Sequence, residues 1–299
     1  MDVFLACVLA VAGLVFGSFL NVCISRLPRD ESIVSPRSRC PRCGASIRWY
    51  HNIPVASFVC LKGRCANCGQ PISPRYPVVE LLTAALFFAC FLKFGLGLAL
   101  LKFCVLSFLL VGLIFMDAET GLLPAEFTYS GIALGLVFAW LVPGGSSGTR
   151  FLARLLGFQM PPGARQASLI DAIVAMLLGA AFFYTVWALY YLVRKRHGLG
   201  FGDIALIALC GAFLGLKLTV FVLFSAPILG TIYALVWMLW NAMRTKDGPA
   251  TGGELRLTTA EMLRVGEVPF GVFLGACALL AVFVGEATWS QYLLWGKLG

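Results

Sequence analysis

Long apolar stretches separated by short polar segments run along most of the chain. Seven stretches are clear, and an eighth, 204–216, is shorter. The clear ones cover 3–24, 78–94, 96–116, 127–142, 169–193, 218–241 and 268–284. About 20 apolar residues cross the hydrocarbon core of a bilayer as a helix. If the eighth also crosses, the count is even, and we predict that both termini lie outside.

The first stretch differs from a cleavable signal peptide. Asp2 precedes it where a signal peptide has basic residues. We therefore expect a retained helix.

The amino-acid composition limits the class of protein further. Of 299 residues, 60% are hydrophobic and only 12% are charged, and the mean hydropathy is +0.90. Soluble domains have about twice that share of charge. A soluble domain, a disordered chain and a coiled coil are all excluded. The sequence predicts an all-α polytopic membrane protein with about eight transmembrane helices.

The net charge is +9. The positions of the Lys and Arg residues indicate how the chain is oriented in the membrane, because these residues accumulate in cytoplasmic loops. The loop after the first helix contains nine of them against two acids, Asp30 and Glu31. We predict that this loop is cytoplasmic. The same eight-helix topology places the basic residues at 194–196 and 244–264 on the cytoplasmic side. The Gly/Pro/Ser-rich stretch 143–168 falls outside. The predicted division is a first transmembrane helix at 1–25, a cytoplasmic segment at 26–77 and a membrane core at 78–299.

Four of the eleven cysteines form a metal-ligand pattern in the cytoplasmic segment. They lie in two knuckles, Cys40-Pro-Arg-Cys43-Gly and Cys65-Ala-Asn-Cys68-Gly, separated by 21 residues. Two thiolates three positions apart in a tight turn reach one metal, and the following glycine permits the backbone such a turn needs. Disulfides do not persist in the cytoplasm. The spacing predicts a structural zinc site, because four thiolates leave no open position.

Other readings of these cysteines remain open. A redox dithiol would explain one knuckle but not the second. A zinc ribbon can also bind nucleic acid, yet the stretch between the knuckles is apolar and aromatic, so we expect no nucleic-acid partner. Cys60 has no neighbour at metal spacing. The remaining six cysteines lie in apolar spans, where we expect packing roles.

Four of the fourteen acids lie near the membrane without an obvious place in a polar loop, namely Glu80, Asp117, Glu119 and Asp203. Asp117 ends a long apolar stretch, and Asp203 begins another after Gly200-Phe201-Gly202. The predicted topology puts both aspartates at the cytoplasmic boundary.

Two carboxyl groups that meet across a cavity share a proton and so provide one acid and one base. That is the chemistry of an aspartic protease. Glycines 198, 200 and 202 would let a substrate backbone approach and let the helix start break locally. Asp203 as a simple helix cap is the alternative. We expect Glu119 to orient the site and Glu80 to pair with Arg75 or with a neighbouring helix.

In these residues the chain resembles the bacterial type IV prepilin leader peptidases, which also serve type II secretion pseudopilins. The similar motifs, in chain order, are Gly17-Ser18-Phe19-Leu20-Asn21-Val22, Arg26-Leu27-Pro28, the two cysteine knuckles, Arg75-Tyr76-Pro77, Glu80-Leu81-Leu82-Thr83, Asp117 before Leu122-Leu123-Pro124, and Gly200-Phe201-Gly202-Asp203. The last matches the Gly-x-Gly-Asp intramembrane aspartic proteases. The resemblance covers nearly the whole chain.

The resemblance implies catalytic roles for Asp117 and Asp203 in a bacterial inner-membrane enzyme. It implies cleavage of a short basic leader after a glycine, followed by N-methylation of the new terminal residue with S-adenosylmethionine. The methyltransferase rests on resemblance alone, since no methyl-donor fingerprint is visible and the donor-binding residues are unknown.

This chain departs from the family pattern at three positions and in the length of one segment. Glu119 stands where a second Asp is usual, Ala205 where a Lys is common, and Val272 where Pro often follows Pro269-Phe270-Gly271. The 143–168 stretch is longer than usual.

Two other functions would also use these residues. In a transporter or channel, Asp117 and Asp203 would relay protons or cations. In a zinc-ribbon scaffold without catalysis, only the cysteines would matter. Client pilins and oligomeric state are not indicated by the sequence.

Overall fold

The computed structural model describes residues 2–144, 147–159, 163–195, 200–244 and 269–295. Within these ranges the regular structure is helical, apart from two isolated bridges in the segment 26–77, which contains the four knuckle cysteines and is called the cysteine segment below. The α-helices are α1 (Asp2–Arg26), α2 (Ala56–Cys60), α3 (Arg75–Phe94), α4 (Leu98–Thr120), α5 (Ala125–Leu141), α6 (Ser147–Leu155), α7 (Ala164–Arg194), α8 (Phe201–Arg244) and α9 (Phe270–Trp295). Gly198 and the basic residues at 246–264 lie outside the described ranges.

The predicted all-helical membrane architecture is confirmed. In the described residues, α1, α3, α4, α7 and α8 are long and apolar enough to cross a bilayer. Helix α5 and the stretch Phe270–Gly285 of α9 are apolar but shorter. The count of eight crossings therefore stays a prediction.

Helix α8 is broken at Gly215, which has a φ of +75° and a ψ of 176°. Its two sides fold back on each other. A methyl group at Gly179 of α7 would lie 3.2 Å from Ile207 Cγ1 and 3.5 Å from Thr219 Cγ2. In a straight helix those two residues would be about 18 Å apart along the axis. The predicted stretches 204–216 and 218–241 are thus the two arms of one reversed helix.

Asp171 of α7 holds this reversal. Its Oδ2 accepts a 3.1 Å hydrogen bond from the Leu216 main-chain N–H, and its Oδ1 accepts hydrogen bonds from the main chain and hydroxyl of Thr149. The buried Lys102 is close enough to interact with it electrostatically. Asp171 thus caps the second arm of α8 from a neighbouring helix.

Thr149 belongs to α6, a helix inside the Gly/Pro/Ser-rich stretch 143–168. The Gly, Pro and Ser residues of this stretch lie mainly on either side of the helix.

Small residues bring the helices into close contact, as is common in membranes. A methyl group at Gly13 of α1 would lie 2.6 Å from Ala84 Cα, and one at Gly17 would lie 2.7 Å from Glu80 Cα, so α1 packs directly on the α3 backbone. The fully buried side chains of the bundle belong largely to α4 and to the first arm of α8. Asp117 lies in the last turn of α4, and Asp203 lies in the first turn of α8.

We expect Gly215→Ala to destabilise the protein by about 1–3 kcal/mol, because alanine is strained at positive φ and its methyl group would collide with Asp171 Oδ2. Thermal unfolding of the purified protein in detergent measures the change. Gly230→Ala is the matched control, since Gly230 lies in the same helix and a methyl group there meets Phe273 only at 3.6 Å. Equal unfolding temperatures for the two variants would contradict the role given to the reversal.

Candidate active site

Asp117 lies in the last turn of α4. The helix ends because Gly121 adopts a left-handed conformation, with a φ of 64°, and its N–H donates to the Asp117 carbonyl at 2.8 Å. Pro124 then begins the turn into α5. The Asp117 side chain is only 6% exposed.

Asp203 lies in the first turn of α8 and is 8% exposed. Its main-chain N–H donates to the Gly200 carbonyl at 3.2 Å. A methyl group at Gly202 would lie 2.9 Å from Leu123 Cβ, so this glycine lets the start of α8 pack against the segment that follows α4. The two carboxyl groups are consequently close enough for their charges to interact. The structure brings together the two aspartates that the sequence singled out.

The start of α9 forms the third side of the site. The main-chain N–H of Val272 donates to Asp117 Oδ2 at 3.0 Å, and that of Gly271 also bonds to this carboxyl group. A methyl group at Gly271 would lie 2.7 Å from the same oxygen. Main-chain N–H groups at a helix start favour a negative charge. Sequence reasoning missed this contact, although Pro269-Phe270-Gly271 was visible as a motif.

The departure at Val272 now has a physical meaning. Proline has no main-chain N–H, so the proline that is common here in the family could not donate this hydrogen bond. In this chain the main chain of Val272, rather than its side chain, contacts Asp117.

The two glutamates singled out by the sequence lie apart from this pair of aspartates. Glu119 pairs with Arg75 of α3. Glu80 accepts a 2.7 Å hydrogen bond from the Val55 main-chain N–H, which joins α3 to the cysteine segment. Of the two partners expected for Glu80, Arg75 is wrong, because that guanidinium group is held by Glu119.

The four predicted cysteines form one cluster, built from two matching turns. In each turn the N–H of the first cysteine donates to the carbonyl five residues later, at 2.9 Å for Cys40 and 2.8 Å for Cys65. The glycine after each second cysteine has a φ near +70°. Isolated bridges close the turns in the same register, Arg39 with Ser46 and Arg64 with Pro71.

The four sulfur atoms all lie within 4.8 Å of one another, and Cys40 Sγ is 4.0 Å from Cys68 Sγ. Hydrogen bonds from the Ala45 main chain and the Asn67 side chain lower the pKa of the Cys43 thiol to about 6. Main-chain hydrogen bonds from Cys68 and Asn67 also lower the pKa of Cys65. A main-chain hydrogen bond from Gln70 lowers the pKa of Cys68, but burial and the neighbouring thiols together outweigh it and raise the pKa to about 11. The deprotonated thiol is the form that binds a metal. This group could hold one metal ion.

Comparison with known proteins identifies the family. Residues 11–94 match the bacterial peptidase A24 N-terminal domain, and residues 104–235 match the type IV leader peptidase family. A "Prepilin leader peptidase/N-methyltransferase" of Neisseria gonorrhoeae is 33% identical over 81% of this chain and 85% of its own length. This chain belongs to the type IV leader peptidase family.

Other relatives of the family have the same printed name. The protein of Myxococcus xanthus is 41% identical over 81% of this chain, and the match spans 65% of that protein. The protein of Aeromonas salmonicida is 31% identical over 94% of this chain and 91% of its own length. No solved structure matches the chain at a significant level.

A large cavity separates the cysteine segment of this leader peptidase family member from its membrane helices. Its volume is about 1290 Å³. It is bordered by α1, the start of α3, the end of α4 and the cysteine turns; the polar lining residues from the helices include Ser18, Asn21, Arg75, Glu80, Glu119 and Thr120. We call it the cysteine-segment cavity.

We expect the purified family member to contain one transition-metal ion per chain, bound by the four cysteines. Cys40→Ser removes one of four thiolates and should lower the bound metal, after dialysis, by at least about 10-fold. Metal analysis by mass spectrometry gives the stoichiometry. Cys60→Ser is the control, because Cys60 is exposed and lies outside the cluster. Full metal content in Cys40→Ser would contradict the assignment.

Proposed function

We propose that this protein is a membrane aspartic endopeptidase that removes the basic leader of type IV prepilins or type II secretion pseudopilins after a glycine, and then N-methylates the new terminal residue. The buried pair Asp117 and Asp203, at the meeting point of three helix ends, is the main support. The family and the names of the relatives agree with both activities.

In the proposed cleavage step, one carboxylate removes a proton from water as the water attacks the peptide carbonyl. The other carboxyl group polarises that carbonyl and later helps to protonate the leaving amine. We assign the base to Asp117, because main-chain N–H groups of α9 already donate to its Oδ2 and stabilise the carboxylate. Asp203 then supplies the shared proton.

The proposed substrate has a basic leader followed by an apolar helix. The apolar helix would enter the bilayer beside the bundle and place the scissile bond near the membrane boundary, where α4 ends and α8 begins. This arrangement matches the position of both aspartates in the first or last turn of a membrane helix.

For methylation we propose S-adenosylmethionine as the donor, bound in the cysteine-segment cavity. When bound, it supplies a methyl group to which the substrate nitrogen forms a bond, while the carbon–sulfur bond breaks, its electron pair stays on sulfur and the nitrogen loses one proton. The lining fits such a group. Glu80 offers a buried carboxylate, the Oδ1 atom of Asn21 is buried without a hydrogen-bond partner, and Arg75 Nε is also unpartnered.

We propose zinc as the metal of the cysteine cluster. Four thiolates at tetrahedral spacing are typical of structural zinc sites, and a saturated site leaves no position for substrate. The metal then fixes the fold of the segment that covers the cavity.

The aspartate dyad predicts that Asp117→Asn and Asp203→Asn each lower leader cleavage by at least about 100-fold, because each removes an acid or base from the reaction. Incubation of a full-length prepilin with purified protein in lipid, followed by mass spectrometry, measures both cleavage and the added methyl group. Asp30→Asn is the matched control, since Asp30 is exposed and asparagine tolerates its left-handed conformation.

Normal cleavage by both active-site variants would refute the dyad and would revive the alternative of a transporter that uses these aspartates for proton or cation relay. The family comparison does not favour that alternative.

We further propose eight crossings in the bacterial inner membrane, with both termini outside and the cysteine segment and active site on the cytoplasmic face. The reversal at Gly215 divides α8 into two segments, which raises the seven apolar helices of the described residues to the eight segments that this count needs. The nine basic residues at 26–76 support the orientation.

Membrane-impermeant maleimide tests the topology. Cys60 is exposed in the cysteine segment, so it should react in inside-out vesicles and stay unreactive in intact spheroplasts. Cys60→Ser provides the background signal. Labelling of Cys60 from outside would reverse the proposed orientation.

A further inference from the structure

Helix α6 takes no part in either proposed reaction, and it lies far from the two aspartates. Thr149 of α6 contacts Asp171, and Asp171 in turn interacts with Lys102 near the start of α4. Asp117 lies at the other end of α4, about 22 Å from Lys102 along the helix axis. That distance is most of the thickness of the hydrocarbon core of a bilayer. Helix α6 therefore lies at the membrane boundary opposite the active site.

Two faces of α6 differ sharply in their surroundings, and each is formed by two residues four apart, which lie on the same side of a helix. Thr149 is 4% exposed and Ala153 is 9% exposed, so this face is buried against the bundle. Phe151 is 71% exposed and Leu155 is 74% exposed, so the second face is apolar and open. With nine residues, or about 14 Å, α6 is too short to cross a bilayer. A short helix with an open apolar face at a membrane boundary suits the plane of the interface.

The third face of α6 is basic, because Arg150 and Arg154 are also four residues apart and are both exposed. The segment 143–168 contains these two arginines and Arg165 but no Asp or Glu. In the proposed topology this boundary is the outer one, where positive residues are ordinarily scarce. The segment thus has a positive charge that no acid of its own balances.

A phospholipid with an anionic headgroup matches both open faces of α6. Its phosphate lies next to its acyl chains, just as the basic face of α6 lies next to the apolar face, and a guanidinium group pairs with a phosphate through two parallel hydrogen bonds. A second copy of the chain fits less well. A symmetric contact uses the same patch twice, so the arginines of both copies would be brought together, and like charges repel.

We infer that α6 is an interfacial helix that binds anionic phospholipids at the membrane boundary opposite the active site. Phe151 and Leu155 lie among the acyl chains, and Arg150 and Arg154 pair with the phosphate groups. This inference is independent of the cleavage and methylation reactions.

The hydrogen bonds of α6 connect this lipid contact to the fold. Thr149 donates to Asp171, and Asp171 accepts the Leu216 main-chain N–H directly after the reversal at Gly215. Lipid bound to α6 therefore holds the reversal of α8 at the level of the headgroups.

Photocrosslinking identifies what lies against the apolar face of α6. Phe151 is replaced by benzoylphenylalanine in the full-length protein, which is purified and reconstituted in vesicles of equal amounts of phosphatidylglycerol and phosphatidylcholine. After illumination, mass spectrometry of the intact protein separates the two lipid adducts from a crosslink between two protein chains. We expect phosphatidylglycerol adducts to exceed phosphatidylcholine adducts by at least about 5-fold, because each arginine near the headgroups favours an anionic lipid.

Phe4 of α1 is the matched control position, because it is also a phenylalanine and is also 71% exposed. It lies at the end of α1 away from the cysteine segment, and Arg26 is the first basic residue of the chain. The two lipids should react equally there. Arg150→Gln combined with Arg154→Gln should lower the ratio at position 151 to the value at Phe4. Arg150→Lys combined with Arg154→Lys keeps the charge and should preserve most of the preference.

Equal ratios at positions 151 and 4 in the otherwise unchanged protein would overturn the recognition of anionic lipid. A crosslink at position 151 that joins mainly two protein chains would assign this face to a dimer instead of to lipid. The inference also fails if position 151 gives no lipid adduct while position 4 does.

Discussion

Burial of two carboxyl groups inside a membrane bundle is the constraint on which the rest of the structure depends. An ionisable group is costly there unless a neighbour compensates it. Asp117 is compensated by main-chain N–H groups at the start of α9, and Asp203 by its place in the first turn of α8. Both solutions use helix ends. The site can therefore form only where three helix ends meet, and glycines at 202 and 271 make that approach possible.

Contacts at the end of the bundle away from the two aspartates help to set the position of α8. Asp171 caps the second arm of α8 at Leu216 and contacts α6 through Thr149. Because the first arm is short, the location of its end at Gly215 also determines where its beginning, Asp203, lies relative to α4. A polar contact outside the active site thus helps to place one of its two carboxyl groups.

The cysteine segment is attached to the membrane helices by specific hydrogen bonds. The hydrogen bond between Val55 and Glu80 and the contacts of Arg26 with the Ser32 and Pro36 carbonyls attach it to α1 and α3. The segment consequently covers a cavity that begins one helical turn from Asp117. In the proposed function, this proximity serves two successive reactions on one substrate terminus.

Much of this was determined by the sequence alone. Apolar length defined the membrane helices, because lipid leaves a spanning segment no other way to satisfy its backbone. The two cysteine knuckles defined the cluster of four thiols, since each is a local turn closed by its own hydrogen bonds. The aspartates were also visible, because two carboxylates at the ends of apolar stretches, one of them directly after Gly200-Phe201-Gly202, together indicated a catalytic pair. Contacts between segments distant in the chain were not visible. The bond from Val272 to Asp117, the pairing of Arg75 with Glu119 instead of Glu80, the helix at 147–155 and the fold-back at Gly215 depend on how helices pack, and only the tertiary structure decided them, because packing joins residues that no local pattern relates.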